Sequence, residues 1–339
     1  MRLRTIGSSL LEAALARAMS AKRLSAPLVG LDRSWLRRRW RSPMAQRFNW
    51  HLLAAAQRPG SIRRWPTSLV TGSTLFVDLS DQMWRYIFSY EIWEPATTHF
   101  ILHWLRPGDL FVDVGANVGY FTVLAAPLVG PGGQVVAFEP QPDLAEMLRY
   151  SSEMNGFDEC VECVECALSD HGGPATLYFA PNDGSGLRVS GGASLRVQPT
   201  CRPEESLAVP TTTLADFLPG DRKARLLKLD VEGAESAVLR GGVPLLQTQP
   251  PDAIVCEFQV DRAGGADALA SLYELIVGFG YRPHLLGGSD VLMPVAGAPR
   301  FGDLRQNLCF VHETAGGAFL HVPNRMCARL GPDLPCFLQ

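Results

Sequence analysis

The sequence is constrained above all by an alternation of short apolar strands and helices that begins at residue 109. Strands are predicted at 110–115, 134–140, 160–169, 225–233, 253–258 and 307–312. Helices are predicted between them, at 117–129, 142–154, 234–246 and 267–279. Such alternation favours a parallel sheet with helices on both faces, because each crossover helix must pack back onto the sheet. The sequence therefore predicts an α/β fold.

The segment DVGANVGYF at 113–121 indicates a ligand site at the end of the first of these strands. In open α/β sheets, ligands bind at the carboxyl ends of the strands. Gly115 permits a sharp turn out of the strand, and Gly119 permits a close approach at the helix start. Asp113 is an acid on an apolar strand, so it needs a cation or donors, such as the ammonium of a methionine moiety. Asn117 stands where a dinucleotide binder has glycine, which argues against a pyrophosphate ligand.

The second and third strands end in further polar residues that fit the same ligand. Glu139, followed by Pro140, ends the second strand, and its carboxylate can accept both hydroxyls of a ribose. The alternative is that Glu139 caps a helix or lies exposed at the strand end. Ser169 and Asp170 end the third strand, where an adenine would lie. An ordinary turn before the following glycines explains that pair equally well.

A second acidic cluster is predicted where the fourth and fifth strands end. The segment KLDVEGAE at 228–235 places Asp230 and Glu232 at alternate positions, and Glu257 ends the neighbouring strand. We expect Asp230 to position or deprotonate an acceptor hydroxyl over the cofactor, with the other two carboxylates as part of the catalytic group. The alternative is that these acids cap the next helix or pair with Lys228. Three carboxylates can hold Mg²⁺, but a metal-free site is expected.

The N-terminal segment differs in charge from the rest of the chain. Residues 1–64 hold 14 Lys/Arg and two acids, which leaves 17 basic and 32 acidic residues for the remainder. Three units are therefore expected: a basic, mostly helical extension at 1–65, the main domain at 66–320 and a tail at 321–339. The stretch 33–64 is a candidate for peripheral membrane contact, and no specific nucleic acid is expected as a partner. An ordinary solvated extension is the simpler interpretation.

The start of the chain and the number of cysteines both favour a cytoplasmic protein. Glu12 and Arg17 interrupt the start of the chain, so a secretory signal is not expected. Eight cysteines in a chain of this length do not suggest a disulfide framework, and a reducing cytoplasm fits best. The spacing C-x₂-C-x₂-C at 160–166 falls in a predicted strand, where neighbours three apart point to opposite faces, so packing is expected rather than a metal site.

Taken together, these motifs resemble the FkbM-type methyltransferase family. The resemblance rests on FVDVGANVGYFTVLAA, VVAFEPQP, ALSD and LLKLDVEGAESAVLRGG, and covers about residues 70–315. It implies a Rossmann-like class I methyltransferase fold with a mostly parallel seven-stranded sheet, S-adenosyl-L-methionine as cofactor, and O-methylation of a sugar or natural-product hydroxyl. It also implies cofactor roles for Asp113, Gly115, Asn117 and Glu139. The upstream IWEPAT segment is similar to the family's aromatic-Glu-Pro segment and places Glu94 near the cofactor pocket.

Two other functions remain open from the sequence. A nicotinamide-dependent oxidoreductase is disfavoured by Asn117 and by the lack of a Tyr-x-x-x-Lys motif. A non-catalytic scaffold could keep the cofactor pocket and use the basic extension to contact nucleic acid or a membrane. The expected partner is a small-molecule or carbohydrate acceptor, and the oligomeric state is left undetermined.

Overall fold

The central element is one eight-stranded sheet, seen in a computed structural model that describes residues 64–179, 190–197, 206–218, 222–286, 292–295 and 305–315. Its strands are β3 (Leu110–Val114), β4 (Gln134–Phe138), β5 (Val161–Val164), β9 (Leu226–Leu229), β10 (Ala253–Gln259), β11 (Tyr281–Leu286), β12 (Leu292–Pro294) and β13 (Arg305–His312). From one edge of the sheet to the other, their order is β12–β11–β13–β10–β9–β3–β4–β5. The strands β10, β9, β3, β4 and β5 run parallel, and β13 is antiparallel to β10. The predicted α/β fold is confirmed, with one more strand than the seven expected.

Helices cover both faces of this sheet. They are α1 (Gln82–Tyr90), α2 (Pro95–Trp104), α3 (Tyr120–Val129), α4 (Pro142–Asn155), α5 (Leu214–Phe217), α6 (Glu235–Gly241), α7 (Val243–Thr248), α8 (Val260–Ala263) and α9 (Ala266–Gly278). Two separate apolar clusters result, because successive strand residues point to opposite faces. Phe111 joins the cluster under α1–α4, whereas Val112 joins the cluster under α5–α9. None of the helices in the described ranges is long and apolar enough to cross a membrane.

A hairpin precedes the sheet. It consists of β1 (Arg64–Ser68) and β2 (Thr74–Asp78), which pair antiparallel. Because β1 starts at Arg64, it includes the last two residues of the predicted extension. Residues 1–63 and the predicted tail at 321–339 lie outside the described residues, as does the candidate membrane segment except for Arg64. The proposed division of the chain at 65/66 therefore stays a prediction.

The third predicted strand is divided between two sheets. Only β5 joins the large sheet, while β6 (Ala167–Leu168) pairs with β8 (Ser206–Thr212) in a three-stranded sheet completed by β7 (Gly173–Tyr178). A short segment at 190–197 attaches to this small sheet through a bridge between Tyr178 and Ser194. The small sheet and its attached segment flank the carboxyl ends of the main strands and contribute to the cavity there.

Candidate cofactor and acceptor site

A cavity of about 300 Å³ opens at the carboxyl ends of β3, β4, β9 and β10. Its size lies at the lower end of the range for small-molecule sites. Of the residues predicted for the site, those lining it are Glu94, Gly115, Asn117, Glu139, Pro140, Asp230, Glu232 and Glu257. The remaining four, Asp113, Gly119, Ser169 and Asp170, do not line it.

Gly115 sets the distance between two strand ends. Its φ is +78°, in the left-handed region that favours glycine. A Cβ atom there would lie 1.9 Å from the backbone oxygen of Asp230. The turn after β3 can therefore approach the turn after β9 only because residue 115 has no side chain.

Glu139 and Asn117 form one hydrogen-bonded unit on the cavity wall. The carboxylate of Glu139 accepts from the backbone N–H of Asn117 at 2.8 Å and of Gln141 at 2.9 Å. Asn117 adopts a φ of +53°, and its side-chain oxygen accepts from Trp84 Nε1 at 3.0 Å. Burial raises the pKa of Glu139 to about 7, although both backbone hydrogen bonds act to lower it. Each carboxylate oxygen keeps a further lone pair for a ligand hydroxyl.

Asp113 is buried and does not line the cavity. Its side chain accepts a hydrogen bond from Thr122 Oγ1 at 2.7 Å, and its second oxygen is 4.0 Å from Lys228 Nζ. The expected contact with a methionine ammonium, directly or through water, stays a prediction. In a strand that is buried on both faces, apolar periodicity does not show which face a given side chain takes.

Gly119 also acts inside the protein rather than on a ligand. It has a φ of +86° and precedes α3, and a Cβ there would lie 2.6 Å from Leu148 Cγ of α4. Its missing side chain therefore lets the start of α3 pack against α4. The close approach predicted at the helix start is present, and the partner is a helix.

Ser169 and Asp170 do not line the cavity, and their contact with an adenine stays a prediction. Ser169 is buried, and its backbone N–H donates to the Thr212 carbonyl. Asp170 pairs with Arg240 at 3.2 Å and with His171 at 2.7 Å. The third-strand residues that line the cavity are instead Cys166, Ala167 and Leu168. The turn interpretation fits Asp170, because its charged partners lie on the protein surface.

Three carboxylates from two neighbouring strand ends converge in the cavity. One oxygen from each of Asp230, Glu232 and Glu257 lies within 4.8 Å of the others. Glu232 pairs with Arg262, and Glu257 accepts from Gln259. Burial, followed by the charge of Asp230, raises the pKa of Glu232 to about 9 and that of Glu257 well above its ordinary value. The cluster therefore holds protons at neutral pH. Whether the three carboxylates hold a metal is not decided by this geometry, and a metal-free site stays a prediction.

Lys228 supplies the buried positive charge beside this cluster. Its side chain is 3% exposed, and its Nζ is 2.9 Å from Asp230 and 4.9 Å from the centre of the Phe121 ring. Burial acts to lower the pKa of Lys228, but Asp230 and Asp113 outweigh that effect and raise it. Lys228 therefore stays protonated and holds Asp230 at the cavity wall. The alternative role as a helix cap belongs to Glu235, which accepts from the backbone N–H groups of Val231 and Gly233.

Glu94 approaches the same site from the segment before α2. Asn307 donates to the carboxylate of Glu94 at 2.6 Å, and the backbone of Glu94 has a φ of +40°. Burial, followed by the charge of Asp230, raises its pKa to about 7. The structure thus places Glu94 at the predicted pocket although it is more than a hundred residues away in sequence from Asp230.

Sequence reasoning missed the cationic residues around the cavity and part of its apolar wall. Arg262 follows β10 and contacts Glu232, and Arg196 donates to the carbonyls of Gly233 and Ala263. Met83 forms part of the cavity wall before β3, as does Trp93 of the IWEPAT segment. No motif marks Arg262, Arg196 or Met83, because each is brought to the site by tertiary packing from a separate segment.

A parallel sheet with a glycine turn after β3 and a buried acid after β4 defines the class of Rossmann-like methyltransferase folds. The sequence of the chain matches the family model of the methyltransferase FkbM domain over residues 113–283. Since this match spans half of the chain, the protein belongs to the FkbM methyltransferase family. The predicted family is confirmed, and with it S-adenosylmethionine as the family's cofactor. The buried carboxylate of Glu139 on the cavity wall is chemically suited to that cofactor's ribose.

Curated relatives match shorter parts of the chain. The 31-O-demethyl-FK506 methyltransferase FkbM of Streptomyces tacrolimicus is 42% identical over 78 residues, 23% of this chain and 29% of that protein. Methyltransferase 1 of Beauveria bassiana is 30% identical over 149 residues, which are 40% of this chain and 59% of that protein. A protein-L-isoaspartate O-methyltransferase of Aeropyrum pernix is 48% identical over 59 residues, which are 17% of this chain and 23% of that protein. The chain thus aligns with less than two thirds of each of these relatives.

Proposed function

We propose that the protein transfers a methyl group from S-adenosylmethionine to a hydroxyl oxygen of a small or carbohydrate acceptor. The observation that carries this proposal is the carboxylate of Asp230, held on the cavity wall 2.9 Å from a buried lysine. Methyl transfer needs a donor and an acceptor in line and a group that takes the acceptor's proton. The cavity offers a ribose-binding carboxylate at Glu139 and a proton acceptor at Asp230, after the two strands that flank β3.

The residues of the chain divide between binding and proton transfer. When bound, the cofactor would supply an electrophilic methyl on its sulfonium sulfur, and the O–C bond would form as the S–C bond breaks, with a thioether as the leaving group. Asp230 takes the proton of the acceptor hydroxyl, and Lys228 donates to that carboxylate and holds it in position. Glu139 and Pro140 hold the ribose side of the cofactor. Glu232 and Glu257 offer further hydrogen-bonding groups to the acceptor.

Hydrogen-bonding groups in the cavity support a hydroxyl acceptor. The wall carries Glu94, Asp230, Glu232 and Glu257 beside Lys228 and Arg262. The oxygens of these carboxyl groups can accept a hydrogen bond from an acceptor hydroxyl and orient it. The names of two relatives, the 31-O-demethyl-FK506 methyltransferase and the isoaspartate enzyme, describe O-methylation.

Titration calorimetry with S-adenosylhomocysteine, and with NADH as the competing ligand, tests the cofactor. We expect micromolar binding of the first and no binding of the second. Methyl transfer from labelled cofactor to a panel of sugars and natural-product alcohols then tests the reaction. A chain that binds NADH but not S-adenosylhomocysteine would refute the proposal.

Substitution of Asp230 tests the proton acceptor. We expect Asp230→Ala to keep S-adenosylhomocysteine affinity and to lower turnover about 10²–10⁴-fold, the usual contribution of a general base. Glu139→Ala is the matched comparison, because it should abolish cofactor binding. Normal turnover by Asp230→Ala would show that another group takes the proton.

A further inference from the structure

Three aromatic side chains lead from the cavity to the protein surface, and we call them the aromatic strip: Trp93, Tyr86 and Tyr90. Trp93 lines the cavity. The ring of Tyr86 meets it edge to face, with centroids 5.7 Å apart, and also lies 4.5 Å from the ring of Tyr90. Exposure rises along the strip, since Trp93 and Tyr86 are partly buried and Tyr90 is 56% exposed.

The strip is continuous with the cavity because of helical spacing on α1. Met83 and Ile87 of that helix line the cavity. Residues three and four apart are neighbours on a helix surface, so Tyr86 and Tyr90 lie beside this wall and one turn further toward the helix end. The ring of Tyr90 thus continues the aromatic contacts of the cavity wall to the protein surface.

The size of the cavity requires that part of any larger acceptor lies outside it. About 300 Å³ must take the cofactor's reacting end together with the acceptor hydroxyl. A single small-molecule site already occupies this much volume or more. The rest of an acceptor with several rings must therefore extend out of the cavity, and the aromatic strip offers it a surface that starts at the wall residue Trp93.

The aromatic strip and the inner end of the cavity together favour one class of ligand. Aromatic faces are electron-rich and attract the C–H hydrogens on the apolar face of a saturated ring. The carboxyl groups at the inner end can exchange hydrogen bonds with hydroxyls. A ligand that combines apolar ring faces with many hydroxyls is a glycan.

We infer that the aromatic strip is an acceptor subsite, which stacks on the second ring of an oligosaccharide whose first ring presents its hydroxyl to Asp230. This inference rests on the proposed methyltransferase function and extends it to acceptors of at least two rings. The strip therefore determines specificity for glycan length, whereas Asp230 acts on the reacting hydroxyl.

A printed array of neutral pyranose glycans of one to four rings tests the subsite, probed with the full chain saturated with S-adenosylhomocysteine. We expect glycans of two or more rings to bind about fivefold better than their one-ring counterparts, the gain of one aromatic contact. Tyr90→Ala and Tyr86→Ala should lose this preference. Tyr150→Ala is the control, since Tyr150 is 39% exposed on α4 and packs on Phe76.

The outcomes separate the subsite from the underlying function. Loss of length preference in Tyr90→Ala, with the preference kept in Tyr150→Ala, supports the subsite. An unchanged preference in both strip variants overturns it, as does a chain that binds no glycan while its affinity for S-adenosylhomocysteine is normal. In those last two cases the methyltransferase proposal stands. Failure to bind S-adenosylhomocysteine at all would overturn both.

Discussion

Glu139 is the residue whose charge state should govern cofactor affinity. Its pKa is raised to about 7 by burial, and the ribose hydroxyls need an ionised carboxylate to accept both of their hydrogen bonds. Affinity for S-adenosylhomocysteine should therefore fall as the pH falls below 7, by roughly tenfold per pH unit while one proton must be released on binding. Calorimetry between pH 5.5 and 8.5 measures the slope.

Glu139→Gln provides the comparison for this pH dependence. The variant should bind weakly throughout and show a flatter profile, because a neutral amide replaces the titrating group. It also has one acceptor oxygen for the two backbone N–H groups of Asn117 and Gln141. Any slope that remains belongs to Glu94, whose pKa is also about 7. A profile as steep as that of the original chain would show that Glu139 is not the titrating group.

Lys228 is the residue on which the stability of the site depends. Lys228→Met leaves the buried Asp113 without its nearest cation, and breaking a buried pair in this way costs about 3–5 kcal/mol. Burial already raises the pKa of Asp113, with Lys228 acting against the rise. A carboxyl with a raised pKa destabilises the folded state increasingly as pH rises above its unfolded value. The decrease in the free energy of unfolding caused by Lys228→Met should therefore be greater at pH 8 than at pH 5, and urea unfolding at the two pH values measures it.

Lys223 offers a matched control for that experiment. It pairs with Asp252 at 2.5 Å, but its side chain is 35% exposed. Solvent screening makes such a pair worth about 0–1 kcal/mol, so Lys223→Met should have a small effect. If both variants lost the same free energy of unfolding, the buried position of the Lys228 charge would not be the cause of the loss.

The difference between Glu139 and Asp113 shows which site residues a sequence can identify. Glu139 follows its strand, where the chain turns toward the ligand, so its position in the motif was enough to place it. Asp113 lies within a strand whose residues are all buried, and there the pattern of apolar residues carries no information about direction. Arg262 could not be predicted either, because its contact with Glu232 depends on how α8 packs.

Among the elements, the turn between β3 and α3 has the strictest sequence requirement, which is glycine at position 115. Gly115→Ala would place a Cβ against the Asp230 backbone in addition to forcing a left-handed φ on alanine. We expect a loss of about 3 kcal/mol in the free energy of unfolding, and a fall in S-adenosylhomocysteine affinity because the two strand ends must separate. Chemical denaturation and calorimetry measure the two effects.

Gly108→Ala isolates the cost of backbone conformation alone. Gly108 has a φ of +91°, yet a Cβ there meets nothing within 4 Å. This variant should lose about 1 kcal/mol and keep its cofactor affinity. If Gly115→Ala behaved in the same way, the contact between the strand ends would not limit the site.

At the level of elements, most strands of the main sheet were predictable, whereas β11, β12 and the pairing that builds the small sheet were not. Short apolar runs identified β3, β4 and β10 to within two residues, while the strand predicted at 225–233 ends four residues earlier, at Leu229. The break between β5 and β6 falls within CVECVECALS, which reads as one strand because nothing in it signals a turn. The strand β8 contains Pro210 and lies partly in a stretch rich in glycine, proline and serine, so local sequence favoured a loop there.

On the scale of the whole molecule, the chain separates into a basic N-terminal segment and an acidic remainder. The described residues of the cavity run from Met83 to Arg262, and the first described strand starts at Arg64, which pairs with Glu146 on α4. Composition indicated this separation, but not what the basic segment does. The function of the cofactor site should therefore be separable by experiment from that of residues 1–63.

Removal of residues 1–63 should leave affinity for S-adenosylhomocysteine within about twofold, since a change of that size is below about 0.5 kcal/mol. The physical reason is that the described groups around the cofactor position, from Glu139 to Asp230, are held by β3, β4 and β9. Calorimetry on full-length and shortened chains measures this, with thermal unfolding as the check that both are folded. A folded shortened chain that binds more than tenfold more weakly would show that the basic segment completes the site, and that the charge asymmetry of the sequence is part of cofactor recognition.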